Sequence, residues 1–280
     1  MPRRPEKLEE LADELKKLSD ALAEEKPSEA LSPNRILRVR KTISDAYESL
    51  RQIAEGLDPI KRPGFVFDPG NPNIMGRLIG ITMVAQDRKP LAAIERFYGS
   101  GVYALYYKGG FTPYAPISGK EHPVYAGKAD PASANAKTAI EQGDRLFRRL
   151  NDHRKSIEEA ENTLSVEDFE YRALVVQSGW QSSAEGYLIH LFKPIWNSEV
   201  KICYGIGKHG DSPTTRANLR SPWDTLHPGR EWAHRDRKMK NARSVDVILE
   251  EMAAHFAVNA PFESVDQILL QFLEDIRALS

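Results

Sequence analysis

The apolar positions of the first sixty residues recur at helical spacing. Leu8, Leu11, Leu15, Leu18 and Leu22 alternate steps of three and four, with Glu and Lys elsewhere and with Pro5 and Pro27 bounding the run. This heptad stripe predicts a helix. Pro33 to Ile53, with Ile36, Val39, Ile43, Tyr47 and Leu50 as its apolar positions, predicts a second helix that can pack on the first as an antiparallel hairpin. Two to three heptads are marginal in isolation, so the leucine stripe either pairs with a partner copy or docks on its own domain. Residues 58 to 73 contain Asp58-Pro59 and Asp68-Pro69-Gly70-Asn71-Pro72. They read as a linker wrapping onto the next domain, and a helix is expected from Ile74 to Ala85.

The pattern then changes period. Ser100 to Tyr107 is rich in β-branched and aromatic residues and is closed by Lys108-Gly109-Gly110, which predicts a strand ending in a turn. Pro123 to Lys128 predicts a shorter strand that starts at a proline and leaves through Gly127. The Gly- and Pro-rich stretch between them makes an antiparallel hairpin with a long connection, and Tyr103 and Tyr125 can then share a face. Asp144 to Glu161 is charged and helix-favouring, with Arg149 and His153 four residues apart on one face. Phe169 to Val176 predicts a third strand. Ala184 to Phe192 predicts a short apolar helix that carries Glu185 and stops at Lys193-Pro194, with Asn197 just beyond. From Val245 to Leu279 the pattern is two amphipathic helices broken at Ala260-Pro261.

Composition narrows the class. A chain of 280 residues with 41% apolar content can bury a real core. The single cysteine, Cys203, excludes an internal disulfide and a Cys-cluster zinc site, and it suits a reducing cytoplasm. No apolar run approaches a membrane span, and the N-terminus is too charged for a signal peptide, so a soluble cytoplasmic protein is expected. The net charge of −1 conceals an uneven distribution: residues 201–243 hold ten Lys or Arg against four Asp or Glu, while the first thirty residues lean acidic. Such a basic segment is the electrostatic footprint of phosphate contacts. Arg216, Arg220 and Arg230 are the first candidates within it, since arginine is the side chain that most often reads base edges.

Taken singly, each candidate residue has an ordinary packing or surface role. Their order carries more. Gly101-Val102-Tyr103 and Tyr125-Ala126-Gly127, followed by Arg149, His153, Glu185 and Asn197, resemble the GIY-YIG nuclease superfamily. The closest resemblance is to its type II restriction endonucleases, which cut GC-rich palindromes such as CCGCGG. The Ser221-to-Arg230 segment belongs to the same resemblance, which covers roughly residues 58 to 243. Val102 and Ala126 each stand where the namesake motif has Ile, changes that keep the apolar character.

The resemblance implies an α/β fold, GIY-YIG-like, with a small, mostly antiparallel sheet flanked by helices. An N-terminal helical extension (1–57), a nuclease domain (58–243) with its basic DNA-reading segment (201–243), and a C-terminal helical tail (244–280) complete the expected organisation. The activity it implies is Mg²⁺-dependent cleavage of double-stranded DNA, with Mn²⁺ able to substitute. A homodimer would match a two-fold target, with a tetramer as the larger possibility and a cognate DNA methyltransferase as the system partner.

The chemistry assigns provisional roles. A tyrosine of pKa near 10 is ionised in only about one molecule in a thousand at neutral pH, so a nearby cation is needed. Lys128, Arg149 and His153 are candidates. Tyr103 with His153 would activate water, Arg149 would grip the phosphate, and Glu185 would ligate the metal. Tyr125 and Asn197 would bond to the phosphate or to neighbouring side chains. Which group is the base stays open at this point. A structure-specific repair nuclease and a non-catalytic DNA-binding module are the alternatives.

Overall fold

The structure is a computed structural model, and it describes residues 5–25, 32–60, 64–207, 219–234 and 239–279. The chain divides into two units, residues 1–63 and 64–280.

In the first unit, α1 (Pro5–Glu24) carries the leucine stripe and α2 (Pro33–Gly56) starts at a proline in its first turn. That position suits proline, because its missing N–H would have no helical partner there. The two helices line a common apolar groove, and α2 buries no residue.

The second unit begins with α3 (Pro72–Val84), capped by Asn71, whose side chain accepts from the Asn73 N–H at 2.9 Å. The elements that follow are β1 (Lys89–Pro90), β2 (Gly101–Tyr107), β3 (Tyr125–Ala129), α4 (Ala139–Gln142), α5 (Arg145–Glu159), β4 (Phe169–Val175) and α6 (Gln181–Phe192). After them come β5 (Leu219–Arg220), α7 (Pro222–Leu226), α8 (Glu231–His234), β6 (Lys240–Asn241), α9 (Val245–Val258) and α10 (Val265–Arg277).

The main sheet has the order β1-β4-β2-β3, with every pairing antiparallel. This is the small antiparallel sheet flanked by helices that the resemblance implies, with the hairpin the pattern predicts at its edge. The two-residue strands β5 and β6 pair separately, in parallel. Strand β2 is central and all seven of its residues are buried, which is why it reads as a continuous apolar run and not as an alternating one. Alternation still sorts its side chains. Tyr103, Leu105 and Tyr107 join a core with Leu146 and Leu150 of α5, Trp196, Trp223, and Ile248 and Met252 of α9. Val102, Ala104 and Tyr106 face a second core with Met83 of α3, Leu188 of α6 and Ile268 of α10.

Helix α3 is seated closely on α6. A Cβ at Gly76 would lie 2.5 Å from the Ser183 carbonyl oxygen, so only glycine permits the approach. That contact holds the first turn of α6, the turn before Glu185. Phe65, Val66 and Phe67, expected to wrap onto the domain, are instead exposed at 36%, 75% and 62%. Among the described residues, no helix is long and apolar enough to cross a membrane.

Candidate active site

The hairpin register puts the two motif tyrosines together. Leu105 is opposite Tyr125 and Tyr103 is opposite Gly127, so Tyr103 and Tyr125 are diagonal neighbours on one face. Their ring centroids are 5.9 Å apart. Gly127 makes this possible, because a Cβ there would lie 2.9 Å from the Tyr103 hydroxyl and 2.7 Å from Tyr125 Cε1. The phenol of Tyr103 therefore occupies the space that any other residue would fill.

Helix α5 supplies the next layer. Its buried residues are Leu146, Leu150, His153, Ser156 and Ile157, and His153 continues the Leu146/Leu150/Ile157 spacing of four, three and four. His153 thus sits at a core position among aliphatic neighbours. Its Nε2 lies 2.8 Å from the Tyr103 hydroxyl, and its ring is 4.8 Å from that of Tyr125. Arg149, one turn earlier on the same face, is half-buried and near enough for its positive charge to act on Tyr103. The pair Arg149/His153 therefore converges on the tyrosines as the spacing predicts.

Burial dominates the electrostatics. It raises the Tyr103 pKa well above the ordinary tyrosine value, with the neighbouring Tyr125 adding to the rise and Arg149 opposing it. Tyr125 is also raised by burial, against the pull of Arg149 and of the hydrogen bond from Tyr103. Tyr103 is completely buried, whereas Tyr125 retains partial exposure. Tyr125 is thus the outer member of the pair.

Because β3 is the edge strand, the two helices that cover its faces leave a cleft over that edge. The cleft is about 450 Å³ and is lined by Lys128, Asp130, Arg145, Arg149, Asp152 and Glu185, among others. Glu185 enters it from α6. Burial raises the Glu185 pKa, Lys128 counters the rise, and Glu199 and Asp130 add to it. A carboxylate short of compensation suits a hard divalent cation. Among the described residues no cluster of three or more ligating side chains exists. Glu185, half-buried in the cleft that Asp130 and Asp152 also line, could hold such an ion.

Other expected residues fall elsewhere. Lys128 pairs with Val102, not with Tyr103, in the sheet register, so strand alternation sends its side chain to the opposite face from the tyrosines. Its amino group bonds Asp130 at 2.9 Å and Ser182 at 3.1 Å. It lines the cleft without being the cation beside the phenols. Asn197 is buried with both ends of its amide engaged: Oδ1 accepts from the Ala126 N–H at 3.0 Å and Nδ2 donates to the Ala126 carbonyl at 2.7 Å. It extends the ladder on the free edge of β3 and so braces Tyr125 through the backbone.

Arg230, expected on a DNA-reading surface, is 1% exposed. It pairs with the buried Asp224 at 2.7 Å, donates to the carbonyls of Gly205 and Ile206, each at 2.9 Å, and lies over Trp223 and Trp232. The Ser221–Arg230 segment is an internal brace, because a guanidinium so enclosed cannot reach a duplex. Arg220 is partly exposed, bonded to the Ala233 carbonyl and to Asn241. Arg216 lies outside the described residues.

Two residues that the sequence reading passed over, Arg145 and Arg148, stand exposed at the cleft. The signal for them was a basic run, Arg145, Arg148 and Arg149, at the start of α5.

The edge hairpin thus sets two tyrosines, their rings tilted, beside the Arg/His helix, with a glutamate across the cleft. The sequence model of the Eco29kI GIY-YIG domain matches residues 95–256, more than half of the 280-residue chain. The chain belongs to this family of restriction endonucleases, and it is a restriction-type nuclease, a DNA-binding hydrolase. No curated protein matches the sequence.

Proposed function

We propose that the protein is a type II restriction endonuclease that uses Mg²⁺ to hydrolyse both strands of a GC-rich palindrome, with CCGCGG the first site to try. The observation that carries this reading is the convergence on the β3 edge of three groups. Arg149 and Glu185 line one cleft, and Tyr103 joins His153 directly behind Arg149.

In this scheme Tyr125, at the open end of the pair, orients the attacking water, and the water's proton is relayed through the Tyr103 hydroxyl, which passes its own proton to His153 Nε2. Arg149 binds the scissile phosphate through its planar donors and offsets charge that develops on the phosphoryl oxygens. Glu185 would hold the divalent ion, which when bound would supply Lewis-acid stabilisation of the phosphoryl charge. Arg145 and Arg148, with Arg220, take the flanking phosphates. Asn197 and Gly127 act on the chemistry only by holding Tyr125 and Tyr103 in place.

The target's two-fold axis favours a homodimer. Residues 58–243 would form the nuclease domain, and a methyltransferase of the same specificity would protect the host's own sites in the cytoplasm.

The test is digestion of a fully sequenced, unmethylated plasmid with and without Mg²⁺, alongside Glu185→Ala and Tyr103→Phe, followed by sequencing of the ends. Metal-dependent ends at one short palindrome, lost in both variants, are expected. Cleavage only of branched or damaged DNA would replace this reading with a structure-specific repair nuclease. Tight duplex binding without cleavage under any metal would replace it with a binding module.

A further inference from the structure

The hairpin of α1 and α2 has the surface of half a bundle. Twelve large apolar side chains between Leu8 and Ile53 are 37–67% exposed, and α2 contributes nothing to an interior. Leu18 is 59% exposed, Val39 48%, Ile43 48% and Tyr47 67%. The groove they share is about 550 Å³ and is lined almost entirely by aliphatic and aromatic groups. Two helices without an interior do not hold themselves together in water, and a contiguous apolar face of this size marks a contact surface.

We infer that the occupant is a second copy of the same hairpin, the two forming a four-helix bundle. The first argument is charge. Helix α1 has seven acidic residues against three basic, and α2 has five basic against three acidic, with Arg35, Arg38, Arg40 and Lys41 unopposed in its first half. Like helices from two copies repel if adjacent. If each α1 lies between its own α2 and the partner's α2, every neighbouring pair is opposite in sign and the like helices are diagonal. A surface with one acidic and one basic helix is thus complementary to itself about a two-fold axis.

The second argument is area. Half-exposed leucine- to tyrosine-sized side chains in this number expose on the order of 1,000 Å² per copy, against the roughly 800 Å² per partner of a stable interface. The hairpin also lies outside residues 95–256, the span matched by the family. It is an addition to the nuclease domain, and its contribution is assembly.

The test is sedimentation equilibrium of the full chain, free of DNA and metal, so its outcome does not depend on the nuclease reading. A dimer at micromolar protein is expected. Leu18→Ala and Ile43→Ala keep strong helix formers in place. Each occurs twice in a two-fold interface, so each is expected to weaken the dimer by roughly a hundredfold, with helix content by circular dichroism unchanged. The double variant Leu18→Glu/Ile43→Glu should be monomeric while the catalytic unit keeps its melting temperature. A monomeric wild-type chain would overturn the inference and place the hairpin face on its own chain. A dimer whose affinity ignores all of these substitutions would overturn it by placing the interface elsewhere.

Discussion

Gly127 shows how much of a catalytic arrangement can rest on an absent side chain. A Cβ at this position would meet the hydroxyl of a completely buried Tyr103 at 2.9 Å, and the enclosed phenol has nowhere to retreat. Gly127→Ala is therefore expected to lose about 1–3 kcal/mol of stability by overpacking. It should also slow cleavage by at least ~10-fold, because sub-ångström displacement of a reacting group is costly. Urea denaturation and initial cleavage rates check the two effects separately. Glu185 shows the opposite balance. Burial raises its folded-state pKa above the ordinary value, so its favourable contribution to stability is present at low pH and is lost as pH rises through the raised value. At neutral pH the carboxylate is thus a net cost to the fold. Glu185→Gln should raise the melting temperature by about 1–3 °C while abolishing metal-dependent cleavage. In the wild type, cleavage should fall on acidification at a pH above the usual glutamate value. A variant that melts lower than the wild type would refute the assignment of Glu185 as an undercompensated carboxylate.

At the scale of elements, much of the site was legible and the exceptions have clear causes. The strand period places Tyr103 on β2 and Tyr125 on β3, and the helical period places Arg149 beside His153 on α5. Both are local regularities, so the residues that depend on them were readable. His153 was legible in a second sense, as the polar member of the Leu146/Leu150/Ile157 stripe. Lys128 was misplaced because closeness in sequence was taken for closeness in space: it stands three residues after Tyr125 on one strand, an odd step that turns it to the opposite face. Arg230 was misplaced because composition reports charge and not depth. The same basic, Trp-containing segment could line a groove or brace a core, and Asp224 decided it by taking the guanidinium inside. Arg230→Ala should accordingly cost about 3–5 kcal/mol, since it strands the buried Asp224 carboxylate. A variant with wild-type stability in urea but weakened DNA binding would restore Arg230 to the DNA surface.

At the scale of the molecule, the two units differ in kind. The second has two aromatic-rich cores on either side of β2, whereas α2 in the first has no buried residue. Differential scanning calorimetry of the whole chain should resolve two transitions. The one belonging to the hairpin should move to higher temperature as protein concentration rises, because association draws on the folded form. The one belonging to the catalytic unit should not move. A single transition independent of concentration would contradict this division.

The sequence by itself determined the two N-terminal helices, the antiparallel pairing of the two motif strands, the helices that carry Arg149, His153 and Glu185, and the identities of the tyrosine, arginine, histidine and glutamate candidates. These follow from side-chain period, turn chemistry and motif order, all of which act over a few residues. Only the tertiary structure decided which charges are buried and which are available. It enclosed Arg230 with Asp224, committed Asn197 to the backbone of Ala126, turned Lys128 to the other face, and opened the cleft where Arg149 meets Glu185. Burial and partnership are made by segments distant in sequence, and the cost of removing a charge from water depends on the partner those segments supply.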